Sequence, residues 1–560
     1  MGGRRVVGPG SAAGRAGLIG LGLVLALGPG RASAQTASRD YQDLLRLFDD
    51  WRAFQRPIQV DGIPDYTARA MAAQHAGLAD FRRRLAAIDP GGWPIPEKVD
   101  YELVRAEMNG LNFDHRVLRP WARNPAFYVM VFPSPTDVPA REGPHVDGVI
   151  ELWTYELPLA PDRSAELAER LGTIPPLLDQ ARRNLTGDAR DLWIAGIGSM
   201  QKQSATLAEL ADRAGQSAAP LATAARRAGE ATDAFVTWLE REAPSRNGPS
   251  GIGADHYTWV LRNVHLVPYT WEEQVAMVRR ELVRAHAALR LEEHRNRDLP
   301  PLEPIGGADD YDRRFGAAVD EYMAFLDEEE VVSIRPYLEP ALRARVGRFA
   351  PADGPREFFA EVDYREPLIM RTHGYHWFDL ARMAEEPHPS PIRRGPLLYN
   401  IFDGRAEGLA TGMEEMMMHA GLLDGRPRAR ELVWVLLAQR AARALASLRM
   451  HAGELTLDEA VAFTSEWTPR GWLREDGETG RWEQHLYLQQ PGYGTSYVVG
   501  KIEFEELLAE RARQLGADFT LRGFMDEVDR AGLIPVSLIR WELTGDATRV
   551  EGMTVGASAP

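Results

Sequence analysis

Apolar residues along this chain recur mostly at three- and four-residue intervals, a spacing that predicts helices almost throughout. Tyr41 to Phe54 is the first, with Leu44, Leu45, Phe48 and Trp51 on one stripe and Pro57 just beyond its end. Ala68 to Ile88 and Asp100 to Leu111 repeat the pattern. From 163 to 242, alanine and arginine fill a run of helices interrupted near Pro175-Pro176 and Pro220; both are strong helix formers. Thr270 and Glu273 read as a capping box that opens a long charged helix to about Arg297. Further helices are predicted over Asp309 to Glu330, 405 to 419, Arg428 to His451, from Thr456 with Glu459 onward, and over Lys501 to Leu515.

The periodicity fails between Pro120 and Pro144, where Pro125, Pro133, Pro135 and Pro139 predict a loop, with a few short strands around 126 to 154. Ala243 to Gly253, rich in Pro, Ser and Gly, marks a seam. The segment Gln490 to Tyr497 reads as a turn feeding the Lys501 helix. The expected class is therefore mainly α with few short strands. It divides into an N-terminal helical part (35–250) and a C-terminal helical part (251–545) that carries the site, packed as one large domain.

Composition narrows the setting. The chain has 560 residues, 44% of them hydrophobic, and a formal net charge of −16. That is an ordinary soluble balance, and its sign disfavours nucleic acid or an anionic membrane as the main partner. Arg4, Arg5 and Arg15 precede an apolar run from Leu18 to Gly28, and Ala32-Ser33-Ala34 offers small residues for a cut near Ala34. Residues 1–34 thus read as a signal peptide, delivering the product to the periplasm or outside the cell. The run is short of the roughly 20 residues a membrane span needs, so no stable insertion is expected. There is no cysteine, hence no disulfide, thiolate metal site, cysteine nucleophile or thiol to carry a lipid.

Groups able to bind a metal or move a proton concentrate in two blocks, Arg371-Thr372-His373-Gly374-Tyr375-His376-Trp377 and 405–419. On a helix, Glu407, Thr411, Glu414 and Met418 share one face. His373 and His376, three apart, would also share a face and could ligate zinc together with Glu407 or Glu414. The spacing differs from His-Glu-x-x-His, and Gly374 interrupts a simple helix. A metal-free site is equally open: a histidine exchanging protons near neutral pH, a buried carboxylate as acid or base, and Arg371 or Arg405 holding a substrate carboxylate. Tyr493 and Tyr497 could donate to a developing oxyanion. His451, ending a helix, could complement the helix dipole. No Gly-x-Ser-x-Gly elbow and no Gly-x-Gly-x-x-Gly in the right context is present.

Several of these residues resemble motifs of the DUF885 family of bacterial exported, zinc-peptidase-like helical proteins. Glu407-Gly408-Leu409-Ala410 resembles its Glu-Gly-Trp-Ala helix, with Leu409 for tryptophan. Arg443 and His451 match its Arg-x(7)-His block, with Ser447 where aspartate is usual. Pro491-Gly492-Tyr493-Gly494-Thr495-Ser496-Tyr497 resembles Pro-Gly-Gln-Ala-x-Ser-Tyr. Leu515-Gly516, Phe519, Phe524, Gly532 and Pro535 resemble the closing pattern, with Met525 for a histidine. The resemblance spans about 250 to 535 and implies a large helical peptidase-like fold with Glu407 as a metal ligand. The family's His-Glu-x-x-Pro-Gly-His-His falls on 369–376, where Ile369 and Met370 replace the His-Glu pair and Tyr375 replaces one closing histidine.

Isoleucine and methionine cannot supply an imidazole and a general base, so family-type zinc peptidase chemistry is not expected. The leading expectation is a periplasmic enzyme with a metal-independent acid–base site of lyase, isomerase or hydrolase type. It would use His373, His376, Glu407, Tyr375, Arg371, Tyr493, Tyr497 and His451 on a small organic substrate, aromatic residues nearby suiting an aromatic one, and would need no cofactor. One alternative is a relocated-metal peptidase or amidohydrolase with zinc on His373, His376 and Glu407, acting on a small molecule or short peptide. The other is a non-catalytic ligand-binding pseudo-peptidase.

Overall fold

The computed structural model describes residues 38–554, which belong to one compact unit; the signal peptide expected over 1–34 lies outside the described residues. Helices dominate. The only strands among the described residues are two-residue pairs: Gln59–Val60 antiparallel to Ile63–Pro64, and Val131–Phe132 parallel to Ile150–Glu151. The second pair falls where short strands are expected; the first, beside Asp61 and Gly62 in left-handed conformation, follows no strand pattern. Among the described residues, no helix is long and apolar enough to cross a membrane.

Amphipathic spacing places the early helices well. The first helix is Tyr41–Phe54, burying Leu44, Leu47, Phe48 and Trp51. The next is Ala68–Ala86. The third, Ile95–Phe113, begins earlier than its apolar pattern because Pro96 sits in the first turn, where its missing N–H costs nothing. The capping box at Thr270 forms and opens the helix Trp271–Arg295, and Thr456 with Glu459 makes a second, opening Leu457–Trp467.

Two large apolar cores result, and they do not divide at residue 250. One is built around Arg190–Ala214 and Ala219–Glu242, with Ala446 and Met450 of the helix Pro427–His451 joining it. The other gathers the first three helices together with the C-terminal ones. Pro427–His451 thus serves both, and it is buried along almost its whole length.

The largest departure from the sequence reading lies after Gly492. Instead of a turn leading to a helix at Lys501, a helix runs over Tyr493–Leu515, because Gly492 takes a left-handed conformation (φ 98°) and the chain turns straight into helix from there. This helix packs against Asp403–Ala420. The crossing is glycine on glycine: a Cβ on Gly408 would stand 2.5 Å from the Gly500 Cα. Only absent side chains allow backbones that close, and the closeness brings Tyr493, two turns before Gly500, against Glu407.

Candidate metal centre

Gly374 separates the two histidines. The helix Pro367–His373 ends at it and the helix Tyr375–Glu385 starts from it. The break sets the two imidazoles at a ring-centroid distance of 5.1 Å and an angle of 78°, rather than side by side along one helix. Glu407, on the buried helix Asp403–Ala420, approaches from across the core. His376 Nε2 lies 3.2 Å from Glu407 Oε2. The Tyr493 hydroxyl donates to Glu407 Oε1 at 2.6 Å, and Tyr497 donates to the Tyr493 oxygen at 3.3 Å. The tyrosines therefore orient the carboxylate; their hydroxyls are not left free for an oxyanion. Burial holds both phenols well above their ordinary pKa, so both remain donors.

The donor atoms of His373, His376 and Glu407 all lie within 4.8 Å of one another. Two donors on one tetrahedral zinc stand about 3.3 Å apart when bonds are about 2.0–2.1 Å, so the His376–Glu407 edge already has ligand spacing. His373 Nδ1 lies 3.1 Å from Glu414 Oε1. Glu414 is the kind of carboxylate neighbour that metal-binding imidazoles commonly have. Arg440, fully buried, anchors Glu414 through both oxygens at 2.7 and 2.6 Å and reaches His373 Nδ1 at 3.2 Å. Burial, then the Arg440 charge, lowers the His373 pKa, favouring the neutral ligand form. Burial alone would raise Glu407 and lower His376; their mutual attraction outweighs it, bringing Glu407 down to about 2 and His376 up to about 9. Two imidazoles and a carboxylate with a remaining open position are the donor set of catalytic zinc sites, and the residues present fit such an ion.

Other acids surround the cluster. Asp137 and Glu142, from the proline-rich loop, act electrostatically on His376 and Glu407. Burial, reinforced by Asp137, pushes Glu142 up to about 7. Asp403, one turn before Glu407, is raised well above the carboxylate range by burial and by Glu407. Arg443 stacks over the Tyr497 ring at 4.0 Å and pairs with Glu483. Sequence reasoning missed Arg440, Asp137, Glu142 and Asp403, and had Arg443 only through the family's Arg-x(7)-His block. The two arginines did leave a signal, as charges inside the otherwise Ala- and Leu-rich 428–451 pattern.

Four expected site residues, Tyr375, Arg371, His451 and Arg405, are directed elsewhere. Tyr375, adjacent to His376 and so turned about 100° around the helix, donates to Asp529 at 2.9 Å. Arg371 pairs with Asp363 at 3.0 Å. His451 faces the Tyr487 carbonyl at 2.9 Å and packs on Tyr257; burial lowers it to about 4, leaving it uncharged near neutral pH and so without the dipole role. Arg405 is held by Asp379 and Asp529. Glu415 points away from the histidines, toward Arg284 and Lys501.

Two solved structures share this fold. A candidate lipoprotein of unknown function from Shewanella oneidensis superposes with a TM-score of 0.64 at 17% identity, covering 89% of this chain and 97% of that one. A candidate lipoprotein from Colwellia psychrerythraea gives 0.62 at 13% identity, covering 90% and 97%. No curated protein matches. A family model described as a bacterial protein of unknown function matches residues 53–336 and 375–543, leaving out the stretch that contains Arg371 and His373. With most of its length matched, the chain belongs to the DUF885 family.

Proposed function

We propose that the protein is an extracytoplasmic metal-dependent hydrolase of the peptidase or amidohydrolase class, with a zinc-like ion held by His373, His376 and Glu407. The observation that carries this reading is the convergence of their donor atoms within 4.8 Å. When bound, such an ion would polarise a carbonyl and lower the pKa of water. The chain's own groups do the rest. Tyr493 and Tyr497 fix the Glu407 carboxylate, and Arg440 with Glu414 fixes the His373 ring. Glu142, buried, held by Thr136 and acting electrostatically on Glu407, is a further carboxylate able to take up or release a proton there. His373 is the most accessible of the three donors, its side chain 14% exposed against 2% for the other two; a substrate approaches past it, which favours a short peptide or small amide.

His376 and Glu407 lie inside the family match and His373 in the stretch it leaves out, which supports a donor set arranged in this chain's own way. The arginine-led apolar leader and the relatives described as candidate lipoproteins support an extracytoplasmic location.

A specific observation also favours the metal-free acid–base reading: His376 and Glu407 are already hydrogen-bonded to each other. Elemental analysis decides between them, run beside H373A/H376A and a screen of peptides, amides and esters. About one transition metal per chain, lost from the double variant together with chelator-sensitive hydrolysis, is expected. Turnover that survives complete metal removal would establish the acid–base reading instead, and ligand binding without turnover would establish a binding protein.

A further inference from the structure

A cavity of about 390 Å³, lined by none of the three metal donors, falls within the range of about 300–1,000 Å³ that small-molecule sites occupy. Three departures from regular backbone meet at its wall. The helix Ile95–Phe113 runs into a π-turn, Asp114–Leu118, that ends with Arg119 left-handed at φ 45°. The helix Ala254–Val260 runs into a second, Leu261–His265, ending with Leu266 at φ 53°. Tyr399 and Asn400 are consecutive left-handed residues, φ 57° and 48°. Gly110 lacks the Cβ that would collide with the Tyr399 ring, so the ring is accommodated by design of the neighbouring helix. π-Turns and left-handed non-glycine residues each carry a conformational cost and gather at functional sites.

The charges of the lining do not cancel. Arg52 is held by Glu107, with its Nε 3.0 Å from Oε2. Arg141 is held by Glu151 at 2.6 Å, and Arg56, two-thirds exposed, lies 3.7 Å from Asp147. His265 is kept neutral by burial, its pKa lowered to about 4. Asp114 remains: none of the ion pairs or side-chain hydrogen bonds of the described residues reaches its carboxylate, and it shares the lining with Tyr399, on which it acts electrostatically. Burial alone pushes it up to about 7, the direction of a carboxylate that has no cation beside it. Around it the wall is apolar and aromatic, with Phe113, Trp121, Phe127 and Leu118.

We propose that this cavity is a binding site for a protonated amine on an aromatic or aliphatic body, the ammonium pairing with Asp114 and the body lying among Phe113, Trp121 and Tyr399. The proposal goes beyond the hydrolase reading and does not rest on it, since none of the three metal donors lines the cavity.

Calorimetry on the purified protein at pH 8 tests it, with phenethylamine, 2-phenylethanol and phenylacetate as probes of matched shape and different charge. Phenethylamine is expected to bind at least tenfold more tightly than the other two. D114N is expected to lose at least tenfold in affinity for the amine while keeping that for the alcohol, which also reports an intact cavity. Equal affinity for amine and alcohol in the wild type, unchanged amine binding by D114N, or no amine binding at millimolar concentration would overturn the proposal. If D114N does not fold, the wild-type comparison of amine with alcohol decides.

Discussion

Replacing Glu415 by glutamine should cost stability by an amount that depends on pH, and the structure sets both size and window. Glu415 joins three helices: Arg284 of Trp271–Arg295 donates to its two oxygens at 2.7 and 2.8 Å, and Lys501 of Tyr493–Leu515 lies at 2.9 Å. Burial would raise its pKa, but these cations bring it from 4.5 to about 2. The folded state thus holds its proton less tightly than the unfolded chain does. Stability from the ionised form is complete above pH 5 and is lost as pH falls toward 2. A shift of that size is worth about 3 kcal/mol at pH 7, about 1 kcal/mol at pH 3 and close to nothing below pH 2. Urea titrations of wild type and E415Q at pH 7 and pH 3 measure the gap at each. A gap below about 1 kcal/mol at pH 7, or one of the same size at both pH values, would refute the assignment.

Two further outcomes follow from the site helix. Gly408→Ala sets a methyl against the Gly500 backbone, which cannot yield as a flexible side chain would, so it should cost about 1–3 kcal/mol and weaken metal binding; a wild-type urea midpoint would contradict the crossing. Tyr493→Phe removes the 2.6 Å bond to Glu407 with little change in volume. It should leave the fold intact and lower metal affinity by about 10- to 100-fold in competition with a chelator; unchanged affinity would show that Glu407 needs no such support.

What could be read from the sequence follows the range of the interaction that decides it. Helices such as Tyr41–Phe54 and the capping box at Thr270 are local matters, and local spacing places them. The helix start at Tyr493 was obscured because glycine, proline and tyrosine together read as a turn, whereas Gly492 alone supplies it. In the site, His373, His376, Glu407 and Tyr493 do come together, as their chemistry and the family resemblance suggest. Tyr375 and Arg371 show the limit of proximity along the chain: neighbours on a helix diverge in space, and their acids, Asp529 and Asp363, take them away. Arg440 and Glu142 reach the site across contacts that no single-sequence pattern encodes. Their roles depend on which helix and which loop arrive beside the histidines.

The crossing of Gly408 over Gly500 also fixes when the site comes into being. The three donors lie within residues 373–407, but Tyr493 stands 86 positions beyond Glu407, so the carboxylate gains its tyrosine support only once the helix Tyr493–Leu515 has closed onto Asp403–Ala420.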